Sequence, residues 1–194
     1  MSTTPTQNGP FIQVIQHEEA EGQLKEIYDD LVKSRGKLAE IHKIQSLNPE
    51  GILRHMDLYM TIMYGKSPLR RYQREMIAVV VSLANDCHYC QIHHGEALNH
   101  FWKDEAKLKA FYADFRTTPL SDADKLLCEY AHQLTKAPSS IQRTQVDAMR
   151  EAGLSDRQIL DAAQVIAYFN FVNRLVLGLG VQLEADGGKG YDYE

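Results

Sequence analysis

Apolar side chains recur at intervals of three and four along most of the chain, the spacing of one helix face. From about His17 to Lys33 that stripe is Leu24, Ile27, Tyr28, Leu31 and Val32, and Gly36 is placed to stop it. Asn48-Pro49 predicts a helix start, because Asn accepts from free amides and Pro fits the first helical position. Ile52 to Tyr64 then reads as helix, and Pro68 opens the next element. Tyr72 to Leu83 contains the β-branched run IAVVV, which by propensity suits a buried strand. No turn signal interrupts it before Asn85-Asp86, so its length favours a buried helix. Asn85 or Asp86 would cap a helix through Cys87, Cys90 and His94.

Further on, SDAD at Ser121 predicts a capped helix carrying Leu126, Leu127, Tyr130, Ala131 and Leu134. Ser140 to Ala152 predicts another, stopped by Gly153. Ser155 with Gln158 matches a capping box before an apolar run through Phe171 and Leu177. No alternating strand pattern and no hairpin turn appears, so the expected fold is all-α. REMIAVVVSLAND and RQILDAAQVIAYFN each set an apolar helix before an Asn, a faint sign of two related helical-hairpin units.

Composition narrows the classes. The chain is 44% hydrophobic and 24% charged, which excludes disorder throughout. Its net charge of −5 argues against a nucleic-acid binder, which needs a basic excess to neutralise phosphates. The longest apolar run, Met76 to Ala84, is broken by Ser82 and is too short for a bilayer. The polar start MSTTPTQNGP has neither the basic nor the apolar part of a signal peptide. The expectation is a soluble, cytoplasmic protein without membrane or nucleic-acid partners.

The segment ANDCHYCQIHHGEAL carries the chemistry. On a helix, Cys87 and Cys90 lie one turn apart and His94 continues their stripe. A helix start and a histidine both lower a thiol pKa, and the thiolate is the reactive form. A second thiol one turn away can resolve a sulfenic acid into a disulfide, with no cofactor required. Glu75 sits among apolar neighbours, where a carboxylate needs a partner. A histidine would provide one and complete a proton relay. Helix polarity alone leaves the order of the thiols open, because Cys87 is nearer the helix start.

Glu75, Cys87-His-Tyr-Cys90 and His94 together resemble the alkyl hydroperoxide reductase D (AhpD) pattern of the carboxymuconolactone decarboxylase superfamily. YFNFVNRLVLGLGV and LNPEGILRHMDLY extend that resemblance, to its peroxidase-related branch, over most of the chain from about residue 13. The resemblance implies an AhpD-like helical bundle assembled into trimers or hexamers. It implies a peroxidase-type oxidoreductase in which Cys90 attacks peroxide, Cys87 resolves it, and Glu75 acts on His94. It also implies a thiol reductant such as a lipoylated protein, or a peroxiredoxin partner. The match departs at Tyr89, where AhpD has a histidine directly before the second cysteine. The expected division is a flexible tail over 1–12, one domain over 13–184 with its motif region at 69–98, and a flexible tail over 185–194.

Other readings compete at each position. A zinc site would need a fourth ligand beside Cys87, Cys90 and His94, from His93 or His100. His93 points about 100° from His94 around a helix and reads as structural, and His88 as exposed. Glu75 could be a solvated residue at a helix start. Cys128 lies in a Leu-rich stripe and reads as a core thiol. Tyr168, Phe169 and Phe171 read as core or subunit interface, and Gly178 with Gly180 is too sparse for a phosphate loop. For the whole protein, the alternatives are a redox-sensing or structural oligomer that binds a partner, and a decarboxylase-type enzyme, whose reaction needs no C-x-x-C pair.

Overall fold

The computed structural model describes residues 9–188, and among these the regular structure is helical without strands. A 3₁₀ turn at His17–Glu19 precedes α1 (Gly22–Arg35), so the first helix starts five residues later than the stripe suggested. Gly36 ends it in the left-handed conformation, at φ 80°, which only glycine adopts without cost. A short α2 (Glu40–Lys43) leads to α3 (Pro49–Tyr59), whose first turn is capped by Asn48 Oδ1 accepting from Gly51 N at 3.1 Å. The expected helix to Tyr64 changes to a π turn over Met60–Tyr64.

The chain then forms α4 (Arg71–Ala84), α5 (His88–Trp102) and α6 (Glu105–Asp114). It closes with α7 (Asp122–Lys136), α8 (Arg143–Glu151) and α9 (Asp156–Leu179). The β-branched run is thus helix, beginning at Arg71 rather than at Pro68. Met76 to Val81 are fully buried, and a helix apolar on every side belongs at the centre of a core. α4 packs against α5, α7 and α9. Ser121 and Ser155 cap α7 and α9 as expected, Ser155 with Gln158 in a full capping box. The expected helix over Ser140 to Ala152 is shorter, a 3₁₀ turn at Pro138–Ser140 followed by α8.

α9 is long and apolar enough to cross a membrane by length and composition. Here it packs on α4 and α7, and its polar residues Asp161 and Asn173 are buried. The two segments that hinted at a repeat lie side by side, and Asn85 Nδ2 donates to Asn170 Oδ1 at 3.1 Å. Asn85 ends α4, whereas Asn170 is internal to α9. The outer parts of the two expected tails, 1–8 and 189–194, lie outside the described residues. The inner parts are tied down: Phe11 N donates to Leu179 O at 2.9 Å, and Lys37 pairs with Asp186 at 3.0 Å.

Candidate active site

α4 and α5 meet at a two-residue turn that aims the thiols. Asp86 takes φ 57°, a left-handed conformation that Asp tolerates better than most residues. Cys87 follows as the N-cap residue of α5 without a side-chain capping bond, so neither Asn85 nor Asp86 caps that helix as expected. Asn85 instead turns its amide to α9, donating to Asn173 Oδ1 at 3.0 Å.

Cys87 and Cys90 are buried and unbonded, with their sulfurs 2.8 Å apart. They share a proton unequally. The hydrogen bond between the two sulfurs holds the Cys87 pKa below its usual value, against the effect of burial. Burial, followed by the adjacent Cys87 sulfur, pushes the Cys90 thiol well up, while the Asn173 amide opposes that rise. Cys87 is therefore the more acidic thiol of the pair. Cys128 is also free, but it is buried in α7 away from this pair and pushed up by desolvation, as a core thiol should be.

One helical turn beyond Cys90, His94 Nδ1 lies 2.7 Å from Glu75 Oε2. Glu75 is only 1% exposed, so the solvated alternative for it fails. Its other oxygen pairs with Arg71 Nη2 at 2.8 Å. Burial disfavours the carboxylate, but the His94 hydrogen bond and Arg71 outweigh it and hold the carboxyl below its ordinary range. With Nδ1 committed to Glu75, Nε2 is the ring nitrogen left to exchange a proton. The ring is fixed edge-on to Phe169, centroids 4.4 Å apart.

Cys90, His94 and Glu75 line one cavity with about 690 Å³ of atom-free space, its open mouth included. Tyr168, Phe169 and Val172 form an apolar wall. Tyr168 and Phe169 therefore face the cavity as well as the core, while Phe171 is exposed on the outer side of α9. His93 also reaches the cavity, despite its different angular position, with Nε2 2.9 Å from Glu184 Oε2. His88 is exposed, and Gly180 is the left-handed end of α9 against Phe11. Among the described residues, no group of three or more His, Cys, Asp and Glu side chains is arranged to hold a metal ion.

Sequence reasoning missed Asn173, His42, His55 and Arg35. Asn173 is fully buried beside Cys90, its Nδ2 also 3.3 Å from Ser82 Oγ. The other three reach the same cavity from α1, α2 and α3. Only the Asn173 position, in the segment YFNFVN, carried a local signal: a polar residue inside an apolar run.

An all-α bundle that presents a C-x-x-C pair and a buried Glu–His couple to a cavity defines a class of thiol-bearing helical proteins. Residues 52–114 match the Carboxymuconolactone decarboxylase family. An uncharacterized peroxidase-related protein from Silicibacter sp. TM1040 superposes with a TM-score of 0.84 at 25% identity, covering 96% of this chain and 98% of that one. A peroxidase-related protein with an alkylhydroperoxidase AhpD core, from Ralstonia eutropha JMP134, has a TM-score of 0.83 at 20% identity over 92% and 94% of the two chains. The debrominase Bmp8, solved with 2,3,4-tribromopyrrole, reaches 0.76 at 20% identity over 92% and 94%. No curated protein matches the sequence significantly. The chain thus has the fold of AhpD-like proteins, and over residues 52–114 it resembles the carboxymuconolactone decarboxylase family.

Proposed function

We propose that the protein is a thiol-dependent hydroperoxide reductase running on a Cys87–Cys90 dithiol cycle. The observation that carries this reading is the arrangement of two unbonded thiols 2.8 Å apart, one of them lining a cavity shared with a buried Glu75–His94 couple. A decarboxylase would have no use for the second thiol.

Cys90 is the attacking group, because it lines the cavity. It is protonated at rest and needs a base, which His94 Nε2 supplies while Glu75 stabilises the resulting imidazolium. The Cys90 thiolate attacks the distal peroxide oxygen. An S–O bond forms, the O–O bond breaks, and the leaving alkoxide takes the proton from His94 as an alcohol. Cys87, the more acidic thiol, then attacks the sulfur of the Cys90 sulfenic acid as it loses its proton. The S–O bond breaks, and the departing hydroxide leaves as water with the proton that Cys87 gives up. An external dithiol, such as that of a lipoylated protein, reduces the disulfide and is itself oxidised to a disulfide, while a peroxiredoxin partner would instead draw electrons from the reduced pair.

A reducing, cytoplasmic setting suits this cycle. A homo-oligomer, a trimer or hexamer, is supported by the apolar side chains Leu160, Phe171 and Leu177 exposed along α9. The test is steady-state reduction of cumene hydroperoxide with dihydrolipoamide as donor. The expected result is turnover that disappears in the Cys87→Ser/Cys90→Ser double variant. Equal peroxide consumption by both proteins would overturn the reading.

A further inference from the structure

The cavity that holds Cys90 has a second polar end, remote from the thiols in sequence. His42, on α2, is 7% exposed, and its Nδ1 is buried with no hydrogen-bond partner among the described residues. Such an atom costs about 1–3 kcal/mol, and native interiors leave few of them. Desolvation, together with the neighbouring His55 ring and the Arg35 charge, keeps this imidazole neutral, its pKa lowered to about 3. A neutral imidazole is free to place its proton on Nδ1 and donate it.

Arg35, from the last turn of α1, lines the same cavity. Its guanidinium lies over the rings of Tyr59 and Tyr64, 5.0 and 6.0 Å from their centroids. Among the described residues it pairs with no carboxylate, unlike Arg71, Arg150 and Arg157. The two acidic groups nearest the cavity are already engaged. Glu75 is held by Arg71 and His94. Glu184 accepts from Tyr89 and from the Glu40 amide, and pairs with His93. The polar end of the cavity thus offers a cation held by Tyr59, Tyr64 and Met60 but by no carboxylate, and an unmet hydrogen-bonding nitrogen. The wall leading to Cys90 is aromatic and apolar.

We propose that Arg35 and His42 form an anion subsite, and that the substrate is a compact organic hydroperoxide bearing a carboxylate. The guanidinium supplies charge, the His42 Nδ1–H supplies a directed hydrogen bond, and the apolar body lies along Tyr168 and Phe169 with its peroxide at Cys90. This proposal rests on the peroxidase reading for the reaction, but not for the binding.

Two unreactive probes of matched shape separate the two. Binding of 4-isopropylbenzoate and 4-isopropylbenzamide to the reduced protein is measured by calorimetry. The benzoate is expected to bind at least about tenfold tighter, the size of one charge-assisted contact of about 1.4 kcal/mol. Arg35→Gln and His42→Phe should each erase most of that preference, and Arg35→Lys should keep part of it, which shows that loss in the first variant is not misfolding. Equal binding of the two probes, or a preference unchanged in Arg35→Gln, overturns the subsite. In parallel, oxidation of the thiols by cumene hydroperoxide and by its 4-carboxylate is followed. An Arg35-dependent benzoate preference without thiol oxidation by either peroxide would uphold the subsite and remove the peroxidase reading. Oxidation by both at equal rates, without a benzoate preference, would do the reverse.

Discussion

Glu75 is where burial and charge conflict most directly. A carboxylate with 1% exposure persists as an ion only because His94 and Arg71 both face it. Glu75→Gln keeps the shape and removes the charge that stabilises a protonated His94. Thiol oxidation by peroxide should slow by about 10²-fold, the usual scale for one general acid–base group. The variant should remain helical by circular dichroism; an unchanged rate would take Glu75 out of the relay. The two thiols are separable in the same way. Cys87→Ser should leave a Cys90 sulfenic acid that dimedone traps, because the resolving sulfur is gone. Cys90→Ser should give no adduct; a dimedone adduct on Cys87 in that variant would reverse their roles. At this scale the local part of the site was legible. Cys87, Cys90 and His94 share one helix, so their spacing fixes their relation, and Glu75 stood out as a charge in an apolar run. His42 and Arg35 join the cavity only through tertiary packing of α1 and α2, and nothing in their local sequence distinguishes them from surface residues.

Elements act on the site through how closely they approach. α5 passes α6 at Gly95, where an added Cβ would lie 1.5 Å from Tyr112 Oη. That hydroxyl cannot swing away cheaply, because it donates to Gln91 O at 2.8 Å, one turn along the helix that carries the thiols. Gly95→Ala should cost about 1–3 kcal/mol by overpacking, although Ala is the better helix former, and chemical denaturation measures it. Stability equal to wild type or higher would mean that α6 shifts freely. At the start of α3, Asn48→Ala should cost about 1 kcal/mol through the lost cap to Gly51 N; an unchanged denaturation midpoint would show that water caps that turn as well. Caps were the most readable features in the sequence, since Asn48, Ser121 and Ser155 act by short-range hydrogen bonds. α6 and the short α2 were not anticipated. α6 buries only Phe111, so its periodic signal is faint. The β-branched residues of α4 show the opposite case, in which complete burial decides for helix against local propensity.

Over the whole molecule, buried histidines set the response to acid. His42 and His55 have pKa values lowered by burial to about 3 and about 4, against about 6.5 in an unfolded chain. The unfolded state therefore binds more protons below pH 6.5, and stability falls as pH drops from there through pH 4 toward 3. Glu184 adds to this at the lower end. Burial opposes its ionisation, but His93 outweighs burial and holds its carboxyl at about 2, so its contribution is lost between about pH 4.5 and 2. Denaturation midpoints measured from pH 7 to pH 3 should decline steadily, and His42→Phe should flatten the upper part of that decline. A curve flat from pH 6.5 to 4 would mean that these rings reach water.

The central claim is that Cys87 and Cys90 form one redox unit driven by peroxide. The most direct test adds one equivalent of cumene hydroperoxide to the fully reduced protein and follows its three thiols by mass spectrometry with time. The account predicts rapid loss of two thiols, a disulfide mapped to Cys87–Cys90, and an intact Cys128. Survival of all three thiols, or oxidation beginning at Cys128, would contradict it.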